Sequence, residues 1–191
     1  MKKFQLFLVA LVLGTGAYAQ TTWSIDKVHS KIGFSVTHMV VAETEGVFKD
    51  YDGKVVSNSA DFNGAEVSFT AKVASINTEN ERRDGHLKSP DFFDAEKHPE
   101  ITFKGNLVKE GNKYKLKGDF TMKGVTKKVD FDVTYGGSIN TGRGEKAGFK
   151  LNATINRQDF GLTWANKTPS GEMVVADEVQ LIIKVELDKQ A

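Results

Sequence analysis

The side chains with the greatest chemical capacity sit together in Thr78–Phe103, TENERRDGHLKSPDFFDAEKHPEITF. Arg82, Arg83, His86 and Lys88 form a basic, partly titratable run. A guanidinium grips a carboxylate or phosphate through paired, charge-assisted hydrogen bonds, so this run suits a pyrophosphate or carboxyl headgroup. The same residues also suit a solvated helix with internal ion pairs to Glu79, Glu81 and Asp84. Arg82 and Lys88 read as solvated, whereas Arg83, Asp84 and His86 read as ties between this segment and the body, at the rim where a headgroup would lie. His29 follows a short first strand and suits a turn-stabilising hydrogen bond. His38 shares a face with Phe34 and Val36, as a core histidine or as a polar contact inside a tunnel. His86 and His98 flank the charged stretch. The four His residues lack short ligand spacing, and there is no Cys, which removes thiolate catalysis, disulfides and Cys-type metal sites. No Gly-x-Ser-x-Gly elbow is present, Gly142–Ala147 lies in a hairpin rather than between a strand and a helix, and Asp159-Phe160-Gly161 lacks the companions of a kinase site. No metal site and no cofactor are expected, and no residue is assigned as catalytic.

Around that stretch the chain alternates apolar and polar residues, the period of half-buried strands. Ile32, Phe34, Val36 and His38 oppose Lys31, Gly33, Ser35 and Thr37. Further runs are Val67–Val73, Ile101–Leu107, Tyr114–Met122, Val129–Tyr135, Phe149–Ile155 and Val179–Leu187. With Thr22–Lys27 and a long segment from Glu43 to Ser57, about eight or nine strands result. Glu110-Gly111-Asn112, Lys123-Gly124-Val125 and the Gly-rich Gly136–Gly148 read as hairpin connections. The expected fold is all-β with a short helical insert: an extended antiparallel barrel of about eight strands, lipocalin-like, because closure both covers the apolar face and removes exposed edges. In the insert, Thr78 with Glu81 forms a capping box, Pro90 ends the helix, and Ser89-Pro90 opens a second short helical turn. Phe92 and Phe93 are adjacent, so one is expected beneath the insert and the other at the tunnel. Gly105 and Gly118 lie on apolar faces, where glycine marks a bend or a close approach.

Residues 1–19 read as a cleaved secretory signal: basic Lys2 and Lys3, the apolar run Phe4–Leu13, and Ala17-Tyr18-Ala19 as the cleavage site. The run is shorter than the roughly 20 apolar residues that span a bilayer. Residues 20–191 are then one domain, expected in the periplasm or outside the cell. Without Lys2 and Lys3 the 26 basic side chains become 24, against 25 acidic. That balance leaves no electrostatic footprint for nucleic acid and no polybasic patch for a membrane.

The ordered set Asp26-x-x-His29-Ser30, Phe34-x-Val36-x-His38, Gly46-x-Phe48, Arg83–Asp94, Pro99-x-Ile101-Thr102-Phe103, Gly118–Thr126 and Arg157-x-Asp159-Phe160-Gly161-Leu162 resembles the YceI-like family of exported, lipocalin-like proteins. The resemblance covers almost the whole chain after residue 19. It implies a barrel with a helical insert and an internal apolar tunnel for a polyisoprenoid or another long-chain amphiphile, of isoprenoid or fatty-acyl type. The expected lining is Phe34, Val36, His38, Phe48, Phe69, Phe92, Phe93, Phe103, Phe120, Phe131 and Trp164, unless those side chains fill a solid core. Burying roughly 500 Å² of such a chain yields about 12 kcal/mol gross, from which ordering the chain subtracts several kcal/mol.

Two rivals follow from the same residues. One is an enzyme acting on such a lipid, with His38, His86 or His29 and Asp84 or Asp159 as acid and base. The other is an outer-membrane barrel, which would put the charged faces inside.

Overall fold

The computed structural model describes residues 20–191, so the expected signal at residues 1–19 lies outside the described residues. The strands are β1 (Thr21–Ile25), β2 (Lys31–His38), β3 (Ala42–Phe48), β4 (Tyr51–Ser57), β5 (Glu66–Lys72) and β6 (Ile76–Asn77). The helix α1 (Glu81–Lys88) follows, then β7 (Glu100–Glu110), β8 (Lys113–Met122), β9 (Val125–Asn140), β10 (Glu145–Asn156) and β11 (Val175–Lys189). All pairings are antiparallel.

Eleven strand segments form an eight-stave barrel because three staves are interrupted. Strand β11 pairs with β2 along most of its length and with β1 at its end, so β1 and β2 share one stave. Strands β3 and β4 pair with β2 and β1 respectively, and β5 and β6 pair with β4 and β3. The pairing of β1 with β11 closes the ring. The Glu43–Ser57 segment, expected as one strand, breaks at Lys49-Asp50. The Gly136–Gly148 connection is narrower than expected: both strands continue into it, with a register shift at Gly148/Phe149 and the turn itself at residues 141–144.

Inward positions are apolar and outward positions are charged. Phe103, Leu116, Phe120, Phe131 and Val133 are buried, while Lys115–Asp132, Lys117–Glu110 and Lys128–Asp119 pair across the outer face. A lipid-facing surface would not carry that charge, which removes the outer-membrane reading. Gly105 and Gly118 face each other across β7 and β8. A Cβ on Gly105 would come within 2.7 Å of Gly118 Cα, so the two glycines let the backbones approach where the sheet curves.

The break between β1 and β2 is held by a polar staple. The Asp26 carboxylate accepts from Val28 N (2.9 Å), His29 N (3.2 Å), His29 Nδ1 (2.8 Å) and Lys146 Nζ (2.9 Å). Lys146 also reaches Glu186 (2.8 Å) and Asp188 (2.7 Å) on β11. Tyr51 Oη donates to Ser30 O at 3.0 Å, and Glu186 N donates to Ser30 Oγ at 3.0 Å. One stave end is thereby tied to β10 and β11. Asp26, His29 and Glu186 present ligand-type atoms within 4.8 Å of one another, but the Lys146 ammonium already occupies the cation position between the carboxylates.

His29 and Lys146 hold the Asp26 carboxyl well below the usual range. The hydrogen bond and charge of Asp26 raise His29 above its ordinary value. Asp26 therefore contributes stability that is lost only as pH falls through its depressed value. His29 contributes stability that is complete below its unfolded value, about 6.5, and is lost as pH rises through the elevated folded value. Urea unfolding of wild type and His29→Asn across pH should show a wild-type margin that is widest in mild acid and narrows toward alkaline pH. A margin that widens with pH would contradict the staple.

Candidate functional site

The barrel end carrying the β2–β3 turn, the 78–99 insert, the Lys123-Gly124 turn and the 161–174 segment surrounds an apolar cavity of about 280 Å³. A second apolar chamber of about 90 Å³ lies further along the lumen, between Ile25, Val67, Leu107, Phe149 and Leu187. Ile32, Phe69, Phe131 and Ile183 border both and form the waist between them. From Val175 beside the first chamber to Leu187 beside the second, β11 advances twelve residues. That is about 40 Å of strand, or about 30 Å along the axis at ordinary barrel tilt. Ile25, Phe34, Val55, Val67, Phe69, Leu181, Ile183 and Val185 remain only half-buried, although each borders one of these chambers. Their exposure is to the lumen, which is therefore not a filled core.

Phe34, Val36, His38, Phe48, Phe92, Phe93, Phe120 and Trp164 border the larger cavity, with Phe69 and Phe131 at the waist. Phe103 borders the smaller chamber alone. Both Phe92 and Phe93 border the larger cavity, so neither is confined beneath the insert. The reason is local: residues beyond Ser89 form irregular turns instead of a second helical piece, with Phe92 N bonded to Ser89 O and Phe93 N to Leu87 O. Phe92 lies tilted against Trp164 (5.4 Å) and meets His86 edge-on (5.0 Å), while Phe93 meets Phe48 edge-on (6.2 Å). Gly46 makes room for this wall, since a Cβ there would collide with the Phe34 ring and lie 2.8 Å from Thr78 Cγ2.

The insert rests on buried Thr78. Asp84, also buried, accepts from Thr78 N (2.9 Å) and Thr78 Oγ1 (2.6 Å). Arg83 Nε donates to Thr78 Oγ1 (2.8 Å), and its Nη2 to Thr78 O (2.7 Å). The helix N-cap is Asn80, whose side chain accepts from Arg83 N at 3.0 Å. Thr78, the expected cap, is displaced because its hydroxyl is committed to Asp84 and Arg83, and because Glu79 turns the chain through φ 61. Asp84 is thus a tie and does not line the cavity. Arg83 and His86 do line it and also reach solvent. His86 Nε2 meets Asp91 Oδ2 at 3.0 Å. The rim thus offers a guanidinium and imidazoles, and no carboxylate borders the larger cavity.

Arg157 closes the opposite side. Its side chain is 3% exposed. Nε donates to Ala176 O, Nη1 to Leu162 O and Trp164 O, and Nη2 to Val175 O and Asp177 Oδ1. Burial pushes the guanidinium down and Asp177 opposes that shift; an arginine stays charged throughout. One buried cation thereby fixes the segment that carries Trp164. The sequence shows Arg157 without revealing this role, because its partners are mostly backbone carbonyls. Leu181 and Ile183, also wall residues, were visible in the β11 alternation. His29 and Asp159 border neither chamber.

Asp84→Ala leaves the buried Thr78 N–H and hydroxyl without their acceptor. A loss of about 2 kcal/mol is expected in chemical unfolding, with hydrogen exchange accelerated over residues 78–99 before the strands. Unchanged protection of that segment would contradict the tie.

A domain description, the YceI-like domain, matches residues 23–187. A UPF0312 protein of Staphylococcus epidermidis is 35% identical over 162 residues, covering 84% of this chain and 93% of that one. The Campylobacter jejuni YCEI protein superposes with a TM-score of 0.70 at 31% identity over 100% of both chains. Burkholderia cenocepacia BcnA superposes with a TM-score of 0.71 at 27% identity, covering 85% of this chain and 98% of that one. A polyisoprenoid binding domain from Saccharophagus degradans shares the fold, with a TM-score of 0.66 at 13% identity over 88% of this chain and 98% of that one. With its closed barrel, its insert and a match from Trp23 to Leu187, the chain belongs to the YceI-like family.

Proposed function

We propose that this protein is an exported carrier that holds one long-chain amphiphile, of isoprenoid or fatty-acyl type, along the barrel lumen for transport or storage. The observation that carries the reading is the row of inward apolar side chains left half-buried along both chambers. A folded chain gains nothing by leaving that surface uncovered, and a slender apolar ligand would cover it. The Saccharophagus degradans domain, named as polyisoprenoid binding, has the same fold. The expected export signal at residues 1–19 would place it in the periplasm or outside the cell.

The headgroup belongs at the rim, beside Arg83, His38 and His86. With a guanidinium there, and the Asp91 carboxylate turned to His86 Nε2 outside the cavity lining, the geometry suits a carboxylate or phosphate. Fluorescence displacement with a series of fatty acids and prenyl phosphates tests both ends of the site. Ile183→Trp narrows the waist, so affinity for long chains should fall by about tenfold or more while chains short enough for the larger chamber bind as before. Equal loss for all lengths, or no loss, would contradict a ligand that threads the waist. Arg83→Gln should weaken binding of the anionic series about tenfold more than that of the corresponding alcohols, since any loosening of the Thr78 tie acts on both series alike. Equal weakening of acids and alcohols would remove Arg83 from headgroup contact.

A further inference from the structure

The β2–β3 turn places Met39, Val40 and Val41 in solvent, 42%, 67% and 88% exposed. Three of the five strongly exposed large apolar residues among the described residues are therefore consecutive at one tip. The backbone makes this choice unexpected. Met39 and Val40 both adopt left-handed conformations, φ 49 and φ 66. Asn or Gly fit that region readily, and a β-branched residue is disfavoured there. The tip thus forgoes both turn preference and solubility to present three apolar side chains.

Met39 N donates to Val174 O at 3.0 Å, and Val41 N to His38 O at 3.3 Å. His38 and Val174 line the larger cavity and are themselves part-exposed, so the tip stands beside the mouth. Half-buried Trp164 lines the same opening, and indole is suited to the boundary between headgroups and acyl chains. Arg82, Arg83 and Lys88 lie on the insert at this end. Among the described residues Arg82 and Lys88 make no ion pair and can meet anionic headgroups, whereas Arg83 is held by Thr78 and Glu79 and Glu81 temper the charge of the helix start.

We infer that the Met39–Val41 tip is a membrane-docking finger, which inserts into the outer part of a lipid bilayer and sets the cavity mouth against it. A convex tip of three side chains is too small for a stable protein interface, which needs roughly 1,000 Å² or more. It matches a shallow, reversible insertion at the bilayer interface. The purpose, passing a lipid between bilayer and lumen, rests on the carrier reading; the docking itself does not.

The test compares wild type with the double variant Val40→Asn, Val41→Ser. Asn suits the left-handed position, so the melting temperature should hold or rise. In flotation with vesicles of equal parts phosphatidylethanolamine and phosphatidylglycerol, wild type should associate and the variant should lose about tenfold or more in partitioning. Both proteins should bind a pyrene-labelled fatty acid supplied from solution equally well, while transfer of that probe from vesicles should slow in the variant. Equal flotation of the two proteins, or none by wild type, would overturn the proposal. So would an effect of the substitutions on sedimentation mass alone, which would assign the tip to a second copy. If the probe binds neither protein, the carrier reading fails and flotation alone still decides docking.

Discussion

Ring closure between β1 and β11 is the constraint on which the rest depends. A sheet with one apolar face must cover it, and here the sheet covers its own. Eight staves enclose more space than their inward side chains fill. Closure is made at a vulnerable point, where the first stave is interrupted between Ile25 and Lys31. Asp26, Lys146, Glu186 and Asp188 bring β1, β10 and β11 together there. The polar staple sits outside the chambers, so it secures the ring without placing charge in the lumen.

The two ends of the molecule differ because two polar hubs organise one of them. Thr78, Asp84 and Arg83 seat the insert on the barrel. Arg157 gathers four carbonyls and Asp177 to seat the segment carrying Trp164. Lys123 bridges the two, donating to Pro90 O and Gly161 O. Polar hydrogen bonds thus position an apolar wall. Of the groups that hold Phe92, Phe93 and Trp164 in place, only Thr78, Arg83 and Arg157 border the cavity.

The strands were legible because alternation is a direct consequence of one-sided burial. Ile32, Phe34 and Val36, or Tyr114 through Met122, face inward as their spacing requires. The breaks at Lys49-Asp50 and Val73–Ser75 were not, since a stave can change its pairing partner without interrupting its pattern. In the insert, composition pointed to polar support but misplaced the cap, because Thr78's partners lie five and six residues along. The chambers themselves were beyond sequence. Phe69 has the same alternation whether it plugs a core or lines a waist, and only the geometry of eight closed staves separates those cases.

The central claim is that the lumen exists to be occupied by one long apolar chain. Native mass spectrometry of the protein as purified, before and after organic extraction, addresses it most directly. The account predicts one additional mass per barrel, in the range of a long-chain amphiphile, lost on extraction and regained on adding such a lipid. A single unliganded mass in both states, with no uptake of any long-chain amphiphile, would contradict it.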